Sequence, residues 1–234
     1  LIKKLVSISN SDDHPISKNF ENLFAKKIGN GSYVSFGAGR MALYAILKSL
    51  KISINDEIII QSSNCAVVPN SILRIGATPI YVDIDPNNFG PLIEDIFKKI
   101  SNKTKVIIVQ HSFGIPSKSI LALQKIATEK KIFIIEDCAL SFGSSINKKK
   151  IGTFGDASFF STDNSKPINT ILGGGAYSEN ESLIKSLKRI QAESEELSLD
   201  VKKNIFRRFL FEFKYLKISN YKFMQLKIYF NNLF

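Results

Sequence analysis

Helix-type and strand-type patterns alternate along most of this chain of 234 residues. From about residue 17 to residue 180, amphipathic segments such as SKNFENLFAKKIG and LIEDIFKKI separate short apolar segments such as EIIIQ and TPIYVDI. Several of the apolar segments, including those with VIIV and IFII, are continuous runs, which is typical of strands that are buried on both faces. Helices between such strands indicate parallel pairing. The pattern predicts an α/β protein, a three-layer sandwich around a mostly parallel central sheet.

Net charge and residue types narrow the possible partners. The formal charge is +11 at pH 7 and 44% of the residues are hydrophobic, which indicates a sizeable core and favours anionic partners such as phosphorylated metabolites. The two cysteines, Cys65 and Cys138, and two widely separated histidines lack the spacing of a metal site. No apolar run is long enough to span a membrane, and we expect no signal peptide. We therefore expect no metal and a cytoplasmic location, where cysteines stay reduced.

The segment 196–234 differs from the rest of the chain. It contains KKNIFRRFLFEFKYLKISNYKFMQLKIYFNNLF, which is basic, aromatic and free of Gly and Pro. Apolar residues recur there at helical spacing, at Val201, Ile205, Phe209, Phe213 and Leu216. The pattern favours a helix that packs on residues 1–195 or on a partner subunit. Weak contact with an anionic membrane surface is the second interpretation. Because no nucleic-acid-binding module accompanies the segment, we expect no nucleic-acid partner.

Polar and glycine-rich stretches follow the predicted strands. In a parallel sheet the carboxyl ends of the strands meet at one edge, and ligands bind outside that edge. The stretches concerned are Gly37–Arg40, Gln61–Cys65, His111–Gly114, Asp137–Ser141 and Ser161–Lys166. We expect the binding site to be built from them.

Two of these stretches carry groups that can bind a ligand. FGAGRMAL, residues 36–43, combines a glycine turn with a helix start, where backbone N–H groups face an anion. A plain strand-to-helix turn is the alternative. Asp137 ends IFIIED and can keep a pyridine ring nitrogen protonated, although a single strand-end aspartate is more often a structural group. Glu136 points to the other side of the strand and is the weaker candidate.

Lys166 lies in STDNSKPINTILGGG, residues 161–175. Pro167 biases the backbone of Lys166 towards an extended conformation, so the lysine lies on a stiffened loop. A lysine that reacts with an aldehyde must lose its proton near neutral pH, which a partly buried, electropositive site promotes. The stretch alone does not distinguish Lys166 from a surface lysine. His111, in QHSFG, has two interpretations: a contact with cofactor or substrate, or a buried structural histidine.

The order of these segments resembles the DegT/DnrJ/EryC1/StrS family of sugar aminotransferases, which use pyridoxal phosphate (PLP) and have the aspartate-aminotransferase fold. The similarity extends from about Phe20 to Asn180 and is most specific in GATPIYVDIDP, IFIIEDCALSFGS, IGTFGDASFFS and SKPINTILGGG. It implies a PLP-binding large domain at residues 1–195. Family members continue into a smaller C-terminal domain, which we expect to be absent or truncated here.

The resemblance implies a role for each candidate residue. Lys166 matches the lysine that binds PLP covalently and serves as general base and acid. Asp137 matches the acid that pairs with the pyridine nitrogen, and Ser161 matches the serine that binds the phosphate. Gly39 and Arg40 match a Gly-Thr pair whose backbone amides bind the same phosphate.

Three positions depart from the family pattern. Cys65 lies at a cofactor-binding position where an aromatic residue usually stacks on the ring, and a thiol offers less area. Arg40 replaces the usual Thr, so a hydroxyl contact is lost, although a guanidinium can replace it. Leu140 replaces a Gln or His. These changes indicate a divergent branch.

The resemblance also implies an activity. An amino group would move from an amino acid, glutamate or glutamine, to a nucleotide-linked keto-sugar in amino-sugar and surface-polysaccharide biosynthesis. A homodimer is expected, because the family's active sites lie at a subunit interface. A truncated or regulatory PLP-fold protein with little turnover is the alternative. A dehydratase of the same family is disfavoured, because those enzymes replace the lysine with histidine and this chain has Lys166.

Overall fold

A computed structural model describes residues 15–215 of the chain. The helices are α1 (Pro15–Ile28), α2 (Gly39–Ser49), α3 (Val67–Arg74), α4 (Ile93–Lys99), α5 (Ser119–Lys130), α6 (Glu181–Ala192) and α7 (Leu199–Tyr215). The strands are β1 (Ser32–Phe36), β2 (Glu57–Gln61), β3 (Thr78–Val82), β4 (Thr104–Gln110), β5 (Phe133–Asp137), β6 (Ser145–Ile146), β7 (Lys149–Lys150), β8 (Ala157–Ser161) and β9 (Gly174–Ser178). A 3-10 turn spans Ser112–Gly114.

Seven strands form one sheet in the order β1-β9-β8-β5-β4-β2-β3. The five strands from β8 to β3 pair in parallel, which confirms the predicted mostly parallel sheet. β9 runs antiparallel to both of its neighbours, β1 and β8. β1 therefore points the same way as the five parallel strands, so six strands end at one edge of the sheet. β6 and β7 form a separate small hairpin.

Two helical layers cover the sheet, which confirms the three-layer sandwich. Apolar side chains of α1, α4 and α5 form one core with one face of the sheet. Those of α2, α3 and α6 form a second core with the other face. The interiors of β4 and β5 contribute to both, since Ile107 and Ile134 lie in the first core while Ile108 and Ile135 lie in the second. The alternation explains why these strands are continuous apolar runs.

The starts of α6 and α2 differ in how they are capped. α6 begins after Asn180, whose side chain accepts hydrogen bonds from the backbone amides of Ser182 and Leu183, as a capping asparagine does. α2 begins at Gly39 with no side-chain cap. The Met41 and Ala42 amides donate to the Ala38 carbonyl, and the two amides before them, of Gly39 and Arg40, lie at a helix start, where an anion can bind.

The C-terminal segment forms a helix over Leu199–Tyr215. Of the positions at helical spacing, Ile205 is half-buried, whereas Val201 and Phe209 are 41% and 38% exposed. The side chain of Phe213 and the whole of Leu216 lie outside the described residues. Across residues 15–215, no helix combines the length and the apolarity that a membrane crossing needs. The division at residue 195 stays a prediction.

Candidate active site

The parallel topology brings the predicted site residues to one edge of the sheet. Asp137 is the last residue of β5 and Ser161 is the last residue of β8, the adjacent strand. Gly39 follows β1 and Cys65 follows β2 at the same edge. Lys166 lies five positions after Ser161, in the loop between β8 and β9.

Gly39 and Ser161 touch across the strand ends. A Cβ atom added to Gly39 would lie 3.2 Å from the Ser161 Cβ and 3.0 Å from the Phe160 carbonyl oxygen. The first turn of α2 therefore lies directly against the end of β8. The Gly39 and Arg40 N–H groups at this helix start and the Ser161 hydroxyl together can bind an anion such as a phosphate.

Gly174 of β9 also lies against the Gly39–Ser161 contact. Ser161 pairs with Gly174 across β8 and β9. A Cβ atom at Gly174 would lie 2.5 Å from the Phe160 carbonyl oxygen and would also collide with the Gly39 backbone nitrogen. The glycine run at residues 173–175 thus allows the start of α2 to lie against the strand ends, because Gly174 has no side chain.

The loop that carries Lys166 is held at both ends. The Thr162 amide donates to the Gly173 carbonyl, and the Thr170 amide donates to the Thr162 carbonyl, each at 2.9 Å. The Lys166 amide donates to the Asp163 carbonyl at 3.0 Å, which closes a turn just before Pro167. The Lys166 side chain is half-buried. These bonds are consistent with the predicted stiff loop.

A strained residue lies inside the same loop. Ile171 is 4% exposed and has a φ of 71°, a conformation that a β-branched residue rarely adopts. The Asn169 side chain stabilises it, because its Oδ1 accepts the Ile171 amide at 2.7 Å. The Asn169 Nδ2 donates to Glu212 of α7 at 3.2 Å. The C-terminal helix thus contacts the lysine loop directly.

Asp137 is a buried carboxylate with one free oxygen. It is 6% exposed, and its Oδ1 accepts the Ala139 amide at 3.0 Å. Within residues 15–215, its Oδ2 has no hydrogen-bond partner. Burial raises the pKa of Asp137 from 3.8 to about 6, while the Ala139 amide, His111 and Lys166 act in the opposite direction. Asp137 and Lys166 lie at the same edge of the sheet, at the end of β5 and in the loop after β8.

His111 makes contacts that favour the structural interpretation. It is 1% exposed, its Nδ1 accepts the Ser117 amide at 3.0 Å and its Nε2 lies 3.0 Å from the Glu136 carboxylate. Both ring nitrogens are thus in use inside the protein. Glu136, which the sequence analysis ranked below Asp137, is the partner that it missed. The available signal was a charged residue inside an apolar strand, which must be paired when it is buried.

Arg40 and Cys65 have exposed side chains. Arg40 lines a cavity of about 830 Å³ on the surface of the α2–α3 layer, together with Tyr44 and Arg74. Cys65 lies in the turn that leads into α3, where its carbonyl accepts the Val68 amide. Both residues lie at the expected edge of the sheet, and their contacts with a cofactor stay predictions.

The described residues fit PLP in three respects. The close approach of Gly39 to Ser161 places backbone N–H groups of the α2 start and the Ser161 hydroxyl side by side, where both can bind a phosphate. The free Oδ2 of Asp137 can accept the proton of a pyridinium. Lys166 supplies an amine on a stiffened loop at the same edge. A phosphate, a ring nitrogen and an aldehyde each have a suitable counterpart.

Comparison with known proteins agrees with this arrangement. Residues 5–208 match the DegT/DnrJ/EryC1/StrS aminotransferase family. GDP-perosamine synthase of Escherichia coli O157:H7 is 37% identical over 71% of this chain and 45% of its own length. The chain thus spans about half the length of the curated relatives it matches.

Solved structures with the same fold lead to the same family. An aminotransferase from Psychrobacter cryohalolentis is 27% identical, with a TM-score of 0.71 over 73% of this chain and 43% of that one. The PLP form of a putative sugar aminotransferase from Streptococcus pneumoniae is 25% identical, with a TM-score of 0.74 over 80% of this chain and 54% of that one. The chain therefore belongs to the DegT/DnrJ/EryC1/StrS aminotransferase family, whose cofactor is PLP.

Proposed function

We propose that this chain carries the PLP site of an aminotransferase that acts on a nucleotide-linked keto-sugar. The observation that carries the proposal is the placement of the buried Asp137 and of Ser161 at the ends of the adjacent strands β5 and β8, with Lys166 five positions further on and Gly39 against Ser161. PLP chemistry needs three groups from a protein: a lysine, a buried acid and a site that binds the phosphate. All three lie at one edge of this sheet.

Each group has a separate task. PLP, when bound, supplies a ring that accepts electrons from the substrate carbon. The α2 amides and the Ser161 hydroxyl hold the phosphate, and Asp137 Oδ2 holds the proton on the ring nitrogen. Lys166 Nζ removes the proton from the α carbon of the amino donor and later returns a proton, so it serves as base and then as acid.

The substrate class is proposed from two observations. GDP-perosamine synthase, the 37% identical relative, is named for a nucleotide-linked amino sugar. The net charge of +11 favours an acceptor that carries a diphosphate. We place the reaction in amino-sugar and polysaccharide biosynthesis, with glutamate or glutamine as the donor. The free thiols of Cys65 and Cys138 suit the reducing cytoplasm.

A homodimer is part of the proposal, and the α2–α3 surface supports it. The lining of the cavity of about 830 Å³ includes apolar groups such as Met41 and the Tyr44 ring, and Met41 is 45% exposed. The same lining contains cations from α2 and α3, including Arg40 and Arg74, and carboxylates that follow α6, including Glu195. A surface with both charges beside apolar groups can pair with its own copy around a two-fold axis.

The proposal is tested by titrating the purified protein with PLP and then with glutamate. A visible absorption band that saturates with PLP and changes on addition of glutamate, and again with a nucleotide-linked keto-sugar, supports an aminotransferase. A saturating band that glutamate leaves unchanged indicates the alternative, a PLP-binding protein with little turnover. A protein that takes up no PLP contradicts the proposal.

A further inference from the structure

Glu136 is a fully buried carboxylate with four hydrogen-bond donors around it. Its exposed fraction is 0%. Oε1 accepts the amides of Phe154 and Gly155, each at 2.7 Å, and Oε2 accepts the Gly152 amide at 2.9 Å. His111 Nε2 lies 3.0 Å from Oε2. Burying a carboxylate at this depth costs several kcal/mol of folding free energy unless its oxygens accept hydrogen bonds. Here each oxygen accepts two hydrogen bonds.

His111 is fixed in one tautomer by this arrangement. Because the Ser117 amide donates to Nδ1, that nitrogen is an acceptor and the ring hydrogen lies on Nε2. Nε2 therefore donates to Glu136. The nearby Cys138 brings three possible metal ligands within 4.8 Å of one another. Hydrogen bonds account for this cluster without a metal. Both Glu136 oxygens already accept two hydrogen bonds each, His111 Nε2 donates one of them, and His111 Nδ1 accepts the Ser117 amide.

The hydrogen bonds of Glu136 join the segments on which the site depends. The His111 amide donates to the Asp137 carbonyl at 3.1 Å, so His111 holds residue 136 by its side chain and residue 137 by its backbone. Gly152 to Gly155 lie in the loop that leads into β8, the strand that ends at Ser161 and continues to Lys166. One buried group thus links the end of β5 to the start of the strand that presents the lysine.

We propose that Glu136 and His111 are a positioning pair that fixes Asp137 relative to Ser161 and Lys166. The inference rests on the proposed function, since Asp137 is the group that would meet the pyridine nitrogen. Neither residue of the pair touches the cofactor in this account. Their effect on PLP passes through Asp137 and β8.

The test compares Glu136→Gln with Ser158→Ala, a control in the same region. Ser158 Oγ donates to the Gly152 carbonyl at 2.9 Å, so the control loosens the same loop without touching His111 or Asp137. We expect both variants to lose stability. Glu136→Gln alone should weaken PLP binding, by about tenfold or more as for other residues that orient a ligand-binding group, and should shift the pH dependence of the bound PLP absorption band.

A double-mutant cycle separates positioning from general destabilisation. In an Asp137→Asn background, adding Glu136→Gln should cost little further PLP affinity, because the group that it positions is already lost. Additive losses, or equal PLP affinities for Glu136→Gln and Ser158→Ala, would overturn the inference. If Glu136→Gln fails to fold, His111→Gln replaces it in the double-mutant cycle. If the wild-type protein binds no PLP, the proposed function fails instead.

Discussion

Gly39 lies so close to Ser161 that a Cβ on residue 39 would approach the serine Cβ to 3.2 Å and the Phe160 carbonyl oxygen to 3.0 Å. The anion site that we propose exists only because the first turn of α2 can approach the end of β8 this closely. The contact also joins two segments that are more than a hundred residues apart in the sequence, and its loss has a specific consequence.

Gly39→Ala should weaken PLP binding by about tenfold, the scale of one lost phosphate contact at roughly 1.4 kcal/mol. The added methyl group pushes the α2 amides away from Ser161. Alanine is the better helix former by up to about 1 kcal/mol, so stability should change less than affinity. Gly37→Ala is the matched control, because its Cβ would meet only the flexible Met41 sulfur at 3.3 Å. Equal PLP titration curves for the two variants would argue against the phosphate site.

Asp137→Asn should stabilise the PLP-free protein above neutral pH. Burial raises the folded-state pKa of Asp137 from 3.8 to about 6, so the folded protein binds this proton more tightly than the unfolded chain. The resulting stability is complete below pH 3.8 and is lost as the pH rises through about 6. Asparagine keeps the acceptor for the Ala139 amide and does not titrate, so the variant does not lose this stability. In the wild type the loss amounts to at most roughly 3 kcal/mol of unfolding free energy.

Urea unfolding of both proteins between pH 4 and pH 8 measures this difference. The wild-type stability should fall relative to the variant across that range, and the variant should bind PLP more weakly at every pH. Parallel pH profiles would show that the Asp137 carboxyl titrates normally.

Asn169→Asp should loosen the lysine loop. Aspartate keeps the Oδ1 acceptor for the strained Ile171 but removes the donor to Glu212 and places two carboxylates together. We expect faster hydrogen exchange of the backbone amides between Thr162 and Gly173, and a stability loss of about 1 kcal/mol. Asn169→Ala should have the larger effect, since it also removes the bond to Ile171. Unchanged exchange in both variants would mean that α7 does not restrain this loop.

Met41→Glu should convert the homodimer that we propose into monomers that remain folded. The side chain is 45% exposed on α2 and lines the apolar part of the cavity, so a carboxylate costs little in the monomer and much in an interface. Leu23→Glu is the control, as Leu23 is 55% exposed on α1, which covers the opposite face of the sheet. Sedimentation velocity should show monomers for the first variant alone. Monomers for the wild type would contradict the interface.

The sheet was predictable because its signals are local. VIIV and IFII are apolar on both faces because β4 and β5 lie between two helical layers, and the glycine turn before α2 marks a helix start. The β6–β7 hairpin was not predicted, since its strands have two residues each and β7 consists of two exposed lysines. The antiparallel direction of β9 was not predicted either, because pairing direction depends on partners far along the chain.

For the site, the sequence predicted which residues at the ends of the strands come together. Asp137, Ser161 and Lys166 could be chosen because residues after parallel strands share an edge and because their order resembles one family. The left-handed Ile171 and the hydrogen bonds of Glu136 could not be derived in this way. Both depend on groups that meet only in the folded protein: the Asn169 side chain in one case, and the His111 ring with the backbone amides of the Gly152–Gly155 loop in the other.

Borohydride trapping tests the identity of Lys166 as the PLP lysine most directly. PLP is added to the wild-type protein, any covalent adduct is reduced, and the labelled lysine is located by peptide mass spectrometry. Surface lysines such as Lys130 provide the background, and Lys130→Ala is the control for Lys166→Ala. We predict one dominant label on Lys166 at PLP concentrations that saturate the visible band, and loss of both in Lys166→Ala. Labels spread over surface lysines, with no preference for Lys166, would contradict the account.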